Sequence, residues 1–218
     1  MQKLYSQAGT VSDSTEVSKV LRNTYTLLAM TIAFSAFTAV ISMAMNVPYL
    51  GLFMLLPYFG LLYAVEKTKN SGWGIVWVFA LTGFLGFTIA PILNYYVSSM
   101  GYAPILTALG GTSIIFFGLS GYTLVTRKDF SFMGNFIMVG ILVAFVAGIA
   151  NVFFNISGLS LAVSCMFAVL SSLLIMWQTS QIIHGGERNY ISATVTLYVS
   201  LYNIFLSLLH ILGVTSDD

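Results

Sequence analysis

The chain has 218 residues, 58% of them hydrophobic and 7% charged, with a formal net charge of +1. An ordinary soluble domain carries roughly 25% charged residues. Eight Lys and Arg plus seven Asp and Glu cannot coat a water-soluble globule of this size, which excludes a soluble enzyme and makes the lipid bilayer the expected solvent.

The charges cluster at Lys3 to Arg22, Glu66-Lys67-Lys69, Arg127-Lys128-Asp129, Glu187-Arg188 and Asp217-Asp218. Residues 1–22 are rich in Ser and Thr and lack apolar periodicity, so they read as a flexible tail. No small-residue cleavage site follows the first apolar segment, so a signal peptide is not expected. Uncharged stretches then cover 23–65, 70–126, 130–186 and 189–216. Crossing a bilayer takes about 20 apolar residues as a helix, so the first three stretches hold two crossings each and the last holds one. Asn46-Val47-Pro48 divides the first into helices near 24–45 and 48–65. The polar and turn-forming residues from Asn94 to Pro104 divide the second into 73–96 and 104–125. Asn155 to Gly158 divide the third into 132–154 and 159–183, and the last helix covers 190–213. The expectation is an all-α polytopic membrane protein: tail 1–22, seven-helix transmembrane domain 23–214, and a short outer tail 215–218.

With seven crossings, every Lys and Arg falls on the side of the N-terminus. The positive-inside rule then places the N-terminus in the cytoplasm and the C-terminus outside. Trp73, Trp77 and the Tyr residues near span ends read as interfacial anchors.

Lipid gives helices no hydrophobic reason to associate, so small residues and interhelical hydrogen bonds must hold them together. Thr31, Ser35, Thr38 and Ser42 form one stripe on the first helix. Gly83, Gly86 and Ala90 do so on the third, and Gly110-Gly111, Gly118 and Gly121 lie on the fourth. Gly140, Ala144, Ala147 and Asn151 share a face of the fifth, and Ser160, Ser164, Ala168 and Ser171 a face of the sixth. Thr196, Ser200, Asn203 and Ser207 make the seventh helix the most polar at mid-membrane depth, with Gln178 and Gln181 on the sixth as partners. Such groups avoid lipid; they either satisfy one another or line a polar pathway or hinge.

No Asp, Glu, Lys or Arg lies inside an expected span, whereas ion pumps and proton-coupled transporters normally place one there. His184 and His210 are expected at opposite membrane faces and cannot share a metal or one catalytic centre. No zinc-protease, Walker or dinucleotide fingerprint is present, and the lone Cys165 reads as a packing residue. No catalytic residue, cofactor, metal ion or nucleic-acid partner is expected. Oligomeric state is not readable from these stripes.

Three segments carry a resemblance over the whole chain. GFLGFTIAPILNYYVSSMGYAPILTALGGTSIIFF (residues 83–117), RKDFSF (127–132) and IIHGGERNYISATVTLYVSLYNIFLSLLHILG (182–213) resemble the Bax-inhibitor family of membrane proteins. The resemblance implies six helices around a central seventh. Some members are calcium leak channels gated by two Asp residues that share a proton on helices six and seven. This chain departs from them at both positions, with Gln178 and Ser200. Neither titrates, so the resemblance implies a leak without that pH sensor, or no leak.

A narrower likeness, carried by KVLRNTY (19–25) and the pattern HGGE…NYI…ATV…LYVSLYNIF, is to a bacterial branch of the family. That branch acts on the membrane-anchored ATP-dependent protease FtsH as partner, substrate and modulator. It implies a regulatory protein of the bacterial cytoplasmic membrane that restrains an FtsH-type protease, with residues 1–22 as a cytoplasmic handle and the C-terminus in the periplasm.

Overall fold

In hydrocarbon every backbone N–H and C=O must find its partner within the protein, and a long apolar run does so most simply as a helix. The computed structural model describes the backbone of residues 2–154 and 156–216 and the side chains of 15–154, 156 and 158–215. Asn155 and the Asp217-Asp218 pair lie outside the described residues. Among those described, the elements are α1 (Gln2–Met45), α2 (Leu55–Thr68), α3 (Trp73–Met100), α4 (Ala103–Thr126), α5 (Gly134–Phe154), α6 (Ser157–Ile183) and α7 (Tyr190–Ser216). Short 3-10 turns at Gly51–Met54 and Ser131–Met133 lead into α2 and α5. Six of the helices are long and apolar enough to cross a membrane.

Two elements differ from the sequence expectation. The helix expected over 48–65 is a 14-residue α2 preceded by the 3-10 turn. Asn46 and Gly51 take left-handed φ values of 50° and 56°, and Pro57 falls in the first turn of α2, where its missing N–H is not needed. Helix α1 has no break at Arg22, where the polarity changes. Its backbone hydrogen bonds continue to Gln2, because the limit of an apolar segment is not a limit on helical bonding.

The chain divides into two compact units whose boundaries fall within α3, α6 and α7. The first comprises Met1–Ala90 and Ser180–Tyr198, and the second Pro91–Thr179 and Val199–Asp218.

In the first unit α1 lies against α3 at glycine. A Cβ on Gly83 would sit 2.6 Å from the Phe34 ring, and one on Gly86 would overlap the Ser35 carbonyl oxygen and the Thr38 hydroxyl. The Phe34 and Phe79 rings meet edge-on, 5.4 Å apart. Close approach allows a hydrogen bond between the helices. Pro91 has no N–H, so the Phe87 carbonyl, four residues earlier, loses its helical donor. The Ser42 hydroxyl donates to that oxygen at 2.7 Å, the kind of side-chain repair that permits proline inside a membrane helix.

These contacts also fix direction. Phe34 and Thr38 meet Gly83 and Gly86 in ascending order, so α1 and α3 run parallel. The Thr194 hydroxyl near the start of α7 reaches the Thr24 carbonyl. Asn189 binds the Lys69 carbonyl and the Asn70 side chain. Residues 46–72 therefore carry the chain back along the unit from the end of α1 to the start of α3. Helix α2 provides about 21 Å of that path and its 3-10 turn about 8 Å more.

In the second unit α5 and α6 form an antiparallel pair. Gly134 faces Trp177, Gly140 faces Leu170, and Gly148 faces Val163, so one number rises as the other falls. Asn151, read as part of the α5 packing stripe, instead accepts the Ile156 N–H at 3.0 Å and closes the turn between the helices. Among the described residues, a Cβ added to the α4 glycines would meet a neighbour only at Gly111, against Leu208. Gly110, Gly118 and Gly121 meet nothing, and the buried face is Ala108, Thr112, Phe116, Ser120 and Thr123. Gly213 of α7 admits the Tyr96 phenol of α3.

Two glycines of similar appearance should thus behave oppositely. Gly86→Ala is expected to destabilise the protein by about 1–3 kcal/mol through overpacking, and Gly118→Ala to be neutral or slightly stabilising. Denaturant titration of both variants in the same detergent checks the contrast, and equal midpoints would refute the α1–α3 contact.

Candidate functional site on α6 and α7

The loop between α6 and α7 is built by its own polar residues. The Gly185 φ of +75° ends α6, and the Glu187 N–H returns to the Gln181 carbonyl at 3.1 Å. Gly186 lies against the end of the Gln181 side chain, which would have to shift to admit a Cβ. Asn189 then caps α7: its side-chain oxygen accepts the Ile191 and Ser192 N–H groups at 2.9 and 3.2 Å. This satisfies two of the helix's open donors. Its amide nitrogen donates to the Lys69 carbonyl at 3.0 Å and to Asn70 at 2.9 Å, which ties the α2–α3 turn to the start of α7. Arg188 pairs with Glu16 of α1 at 3.7 Å.

Further along α7, still in the first unit, Tyr198 is the main link. Its phenol donates to the Thr82 carbonyl of α3 at 3.3 Å and lies 2.5 Å from the Ser35 hydroxyl of α1, which acts as donor in this arrangement. One buried side chain thereby joins three helices. Thr196, by contrast, is only half-buried and donates to the Ser192 carbonyl of its own helix.

In the second unit Gln178, Ser171, Ser200 and Ser207 are buried, whereas Asn203 is half-buried. The buried face of α7 therefore follows Ala193, Leu197, Ser200, Ile204 and Ser207, displaced from the polar stripe read in the sequence. Gln178 is 2% exposed, and its amide nitrogen has no partner. The hydrogen bond from Gln178 to Ser200 that the substituted sensor positions would permit is not made through that nitrogen. Both ring nitrogens of His210 are likewise buried without a partner. His184 is exposed and bonded through Nδ1 to the Ser180 carbonyl at 2.9 Å. Among the described residues no three His, Cys, Asp or Glu side chains come together as a metal site would require. The arrangement offers hydrogen bonding between helices, and no acid–base pair.

Sequence reading placed Ser35 and Ser42 on a packing face, but did not show that they reach α7 and α3. It missed the tie made by Asn189, although an Asn just before an apolar run is a helix-start signal. It also missed Thr194, because its backbone acceptor at Thr24 lies 170 residues away.

Long apolar helices joined by polar interhelical contacts define a multi-pass α-helical membrane protein. Residues 17–217 match the family described as "Inhibitor of apoptosis-promoting Bax1", and the chain belongs to this Bax-inhibitor family. It is 50% identical to an uncharacterised protein of Pseudomonas aeruginosa over 100% of this chain and 99% of that one. It is 49% identical to the Escherichia coli protein named modulator of FtsH protease YccA, over the full length of both. An uncharacterised membrane protein of Vibrio cholerae is 41% identical over 99% of this chain and 98% of its own. The E. coli sequence also carries the name inner membrane protein YccA in a second strain.

The two best-defined polar residues should respond differently to removal. Tyr198→Phe is expected to cost about 1 kcal/mol by breaking both interhelical bonds. Gln178→Leu should cost nothing or stabilise, since it removes a buried donor that has no acceptor. Unfolding in mild detergent titrated with dodecyl sulfate measures both, and a large loss in Gln178→Leu would show that the amide is bonded after all.

Proposed function

We propose that this protein is a regulatory subunit of the bacterial inner membrane that binds an FtsH-type ATP-dependent protease and restrains its attack on other membrane proteins. The observation that carries this reading is 49% identity, over 100% of both chains, to a protein named as a modulator of that protease. The absence of Asp, Glu, Lys and Arg from the apolar stretches favours a binding role over transport. In this reading the chain crosses the membrane seven times, with α2 and its 3-10 turn as the short crossing and α7 as the central helix. The N-terminus is cytoplasmic and the C-terminus periplasmic, as the distribution of Lys and Arg favours.

Residues 1–22 serve as the handle by which the protease engages the chain. An isolated helix of about this length is only marginally stable in water, and the exposed Glu16–Arg188 ion pair at 3.7 Å adds little to it, so its helical backbone does not obstruct a motor that pulls on it. Deleting residues 2–15 should slow degradation by FtsH in reconstituted membranes about tenfold or more, a loss of some 1.4 kcal/mol or more in engagement. Unchanged turnover would remove the handle from the proposal. Copurification of the full-length protein with FtsH from native membranes tests the partnership itself.

A second reading, an ion leak, draws on the unpartnered buried amide of Gln178. With Gln178 and Ser200 at the sensor positions, any leak is expected to be independent of titration there. Calcium flux into liposomes that disappears in Gln178→Leu would favour the leak over the protease reading.

A further inference from the structure

The short turn between α4 and α5 has a composition and a backbone geometry that the protease reading does not use. Helix α4 ends at Thr126, and the next segment able to cross a membrane starts at Ser131. Residues 127–130 thus lie between two spans and must sit at the depth of the lipid headgroups. Arg127 occupies the left-handed region at φ 49°, a conformation normally left to Gly or Asn at a helix end. Its side chain is exposed and makes no hydrogen bond or ion pair among the described residues. A guanidinium kept without a protein partner, at a position where glycine is the easier residue, needs a different explanation.

The neighbouring residues supply one. The Lys128 ammonium stands 5.8 Å over the Tyr122 ring, which itself lies 6.5 Å from the Phe130 ring. Consecutive residues of the turn therefore carry cations, and the ammonium of the second is held over an aromatic ring. The carboxylate of Asp129 accepts the Ser131 N–H at 2.8 Å and so caps the lead into α5. Val125 and Phe132 flank the turn, 84% and 79% exposed, and offer apolar surface where acyl chains begin. Arg matches a phosphate with paired donors. A zwitterionic lipid would bring its own ammonium against these two cations.

We propose that Arg127 and Lys128 form a binding site for the phosphate of an anionic phospholipid, whose acyl chains lie along Val125 and Phe132. The site requires only that the turn be at a membrane surface, so it stands or falls independently of the protease.

The test uses the full-length protein in phosphatidylcholine micelles titrated with phosphatidylglycerol, phosphatidylethanolamine or inorganic phosphate, reading the thermal unfolding midpoint. A ligand bound only by the folded state raises that midpoint. Phosphatidylglycerol alone is expected to raise it in the parent protein. Arg127→Gly should start no lower, since glycine suits the left-handed turn. It should bind phosphatidylglycerol about fivefold more weakly, the usual share of one cation at an anionic surface. Arg127→Lys should recover part of the effect by restoring charge without the paired donors. An equal response to phosphatidylethanolamine, a response to inorganic phosphate alone, or an undiminished response in Arg127→Gly would each overturn the site.

Discussion

The contact on which the first unit depends is the approach of α1 to α3 at Gly86. A membrane interior offers no water to a carbonyl that has lost its helical donor, and Pro91 creates one at Phe87. Only a neighbouring side chain can repair it, and only if the two backbones come close enough. Gly86 provides the space, and Ser42 makes the bond. The same closeness brings Ser35 within reach of Tyr198, so α7 is joined to a pair of helices already in register.

The second unit follows the same rule with different residues. Here glycines on α5 admit the side chains of α6 in antiparallel order, and Asn151 fastens the turn that joins them. Polar groups serve mainly to close turns and to link helices. Among the described residues those left over are few: the hydroxyls of Thr24 and Ser192 and the side-chain nitrogens of Gln178 and His210 are buried without a hydrogen bond, and the family resemblance implies, for some members, a titrating pair where this chain has Gln178 and Ser200. A regulatory protein that works by binding has no need of that pair, which accords with the protease reading.

Much of the architecture was legible because membranes impose long periods on sequence. Charge-free stretches of span length located five of the six long helices, and the C-terminal end of α1, within a few residues, and the Ser and Thr stripe on α1 marked the face that does contact α3 and α7. The short α2 was less legible. Its composition is as apolar as a full crossing, and only the left-handed turns at Asn46 and Gly51 shorten the helix. The α4 glycines misled for the opposite reason, since glycine spacing reports only a capacity for close approach and three of the four have no neighbour. Of the polar stripe on α7, Ser200 and Ser207 are buried and Thr196 and Asn203 half-buried; the helix also buries Thr194 and Tyr198, whose partners lie far away in sequence.

The sequence by itself determined the solvent, the class and the family, since apolar content, charge spacing and family likeness are properties of the chain read in order. It also excluded a titrating pair at positions 178 and 200, because Gln and Ser do not ionise in any fold. Tertiary structure alone decided which polar residues join helices and that Asn189 ties the α2–α3 turn to α7. Those depend on distances between residues 45 to 170 positions apart, and a hydrogen bond of about 3 Å between such residues leaves no local mark in the sequence.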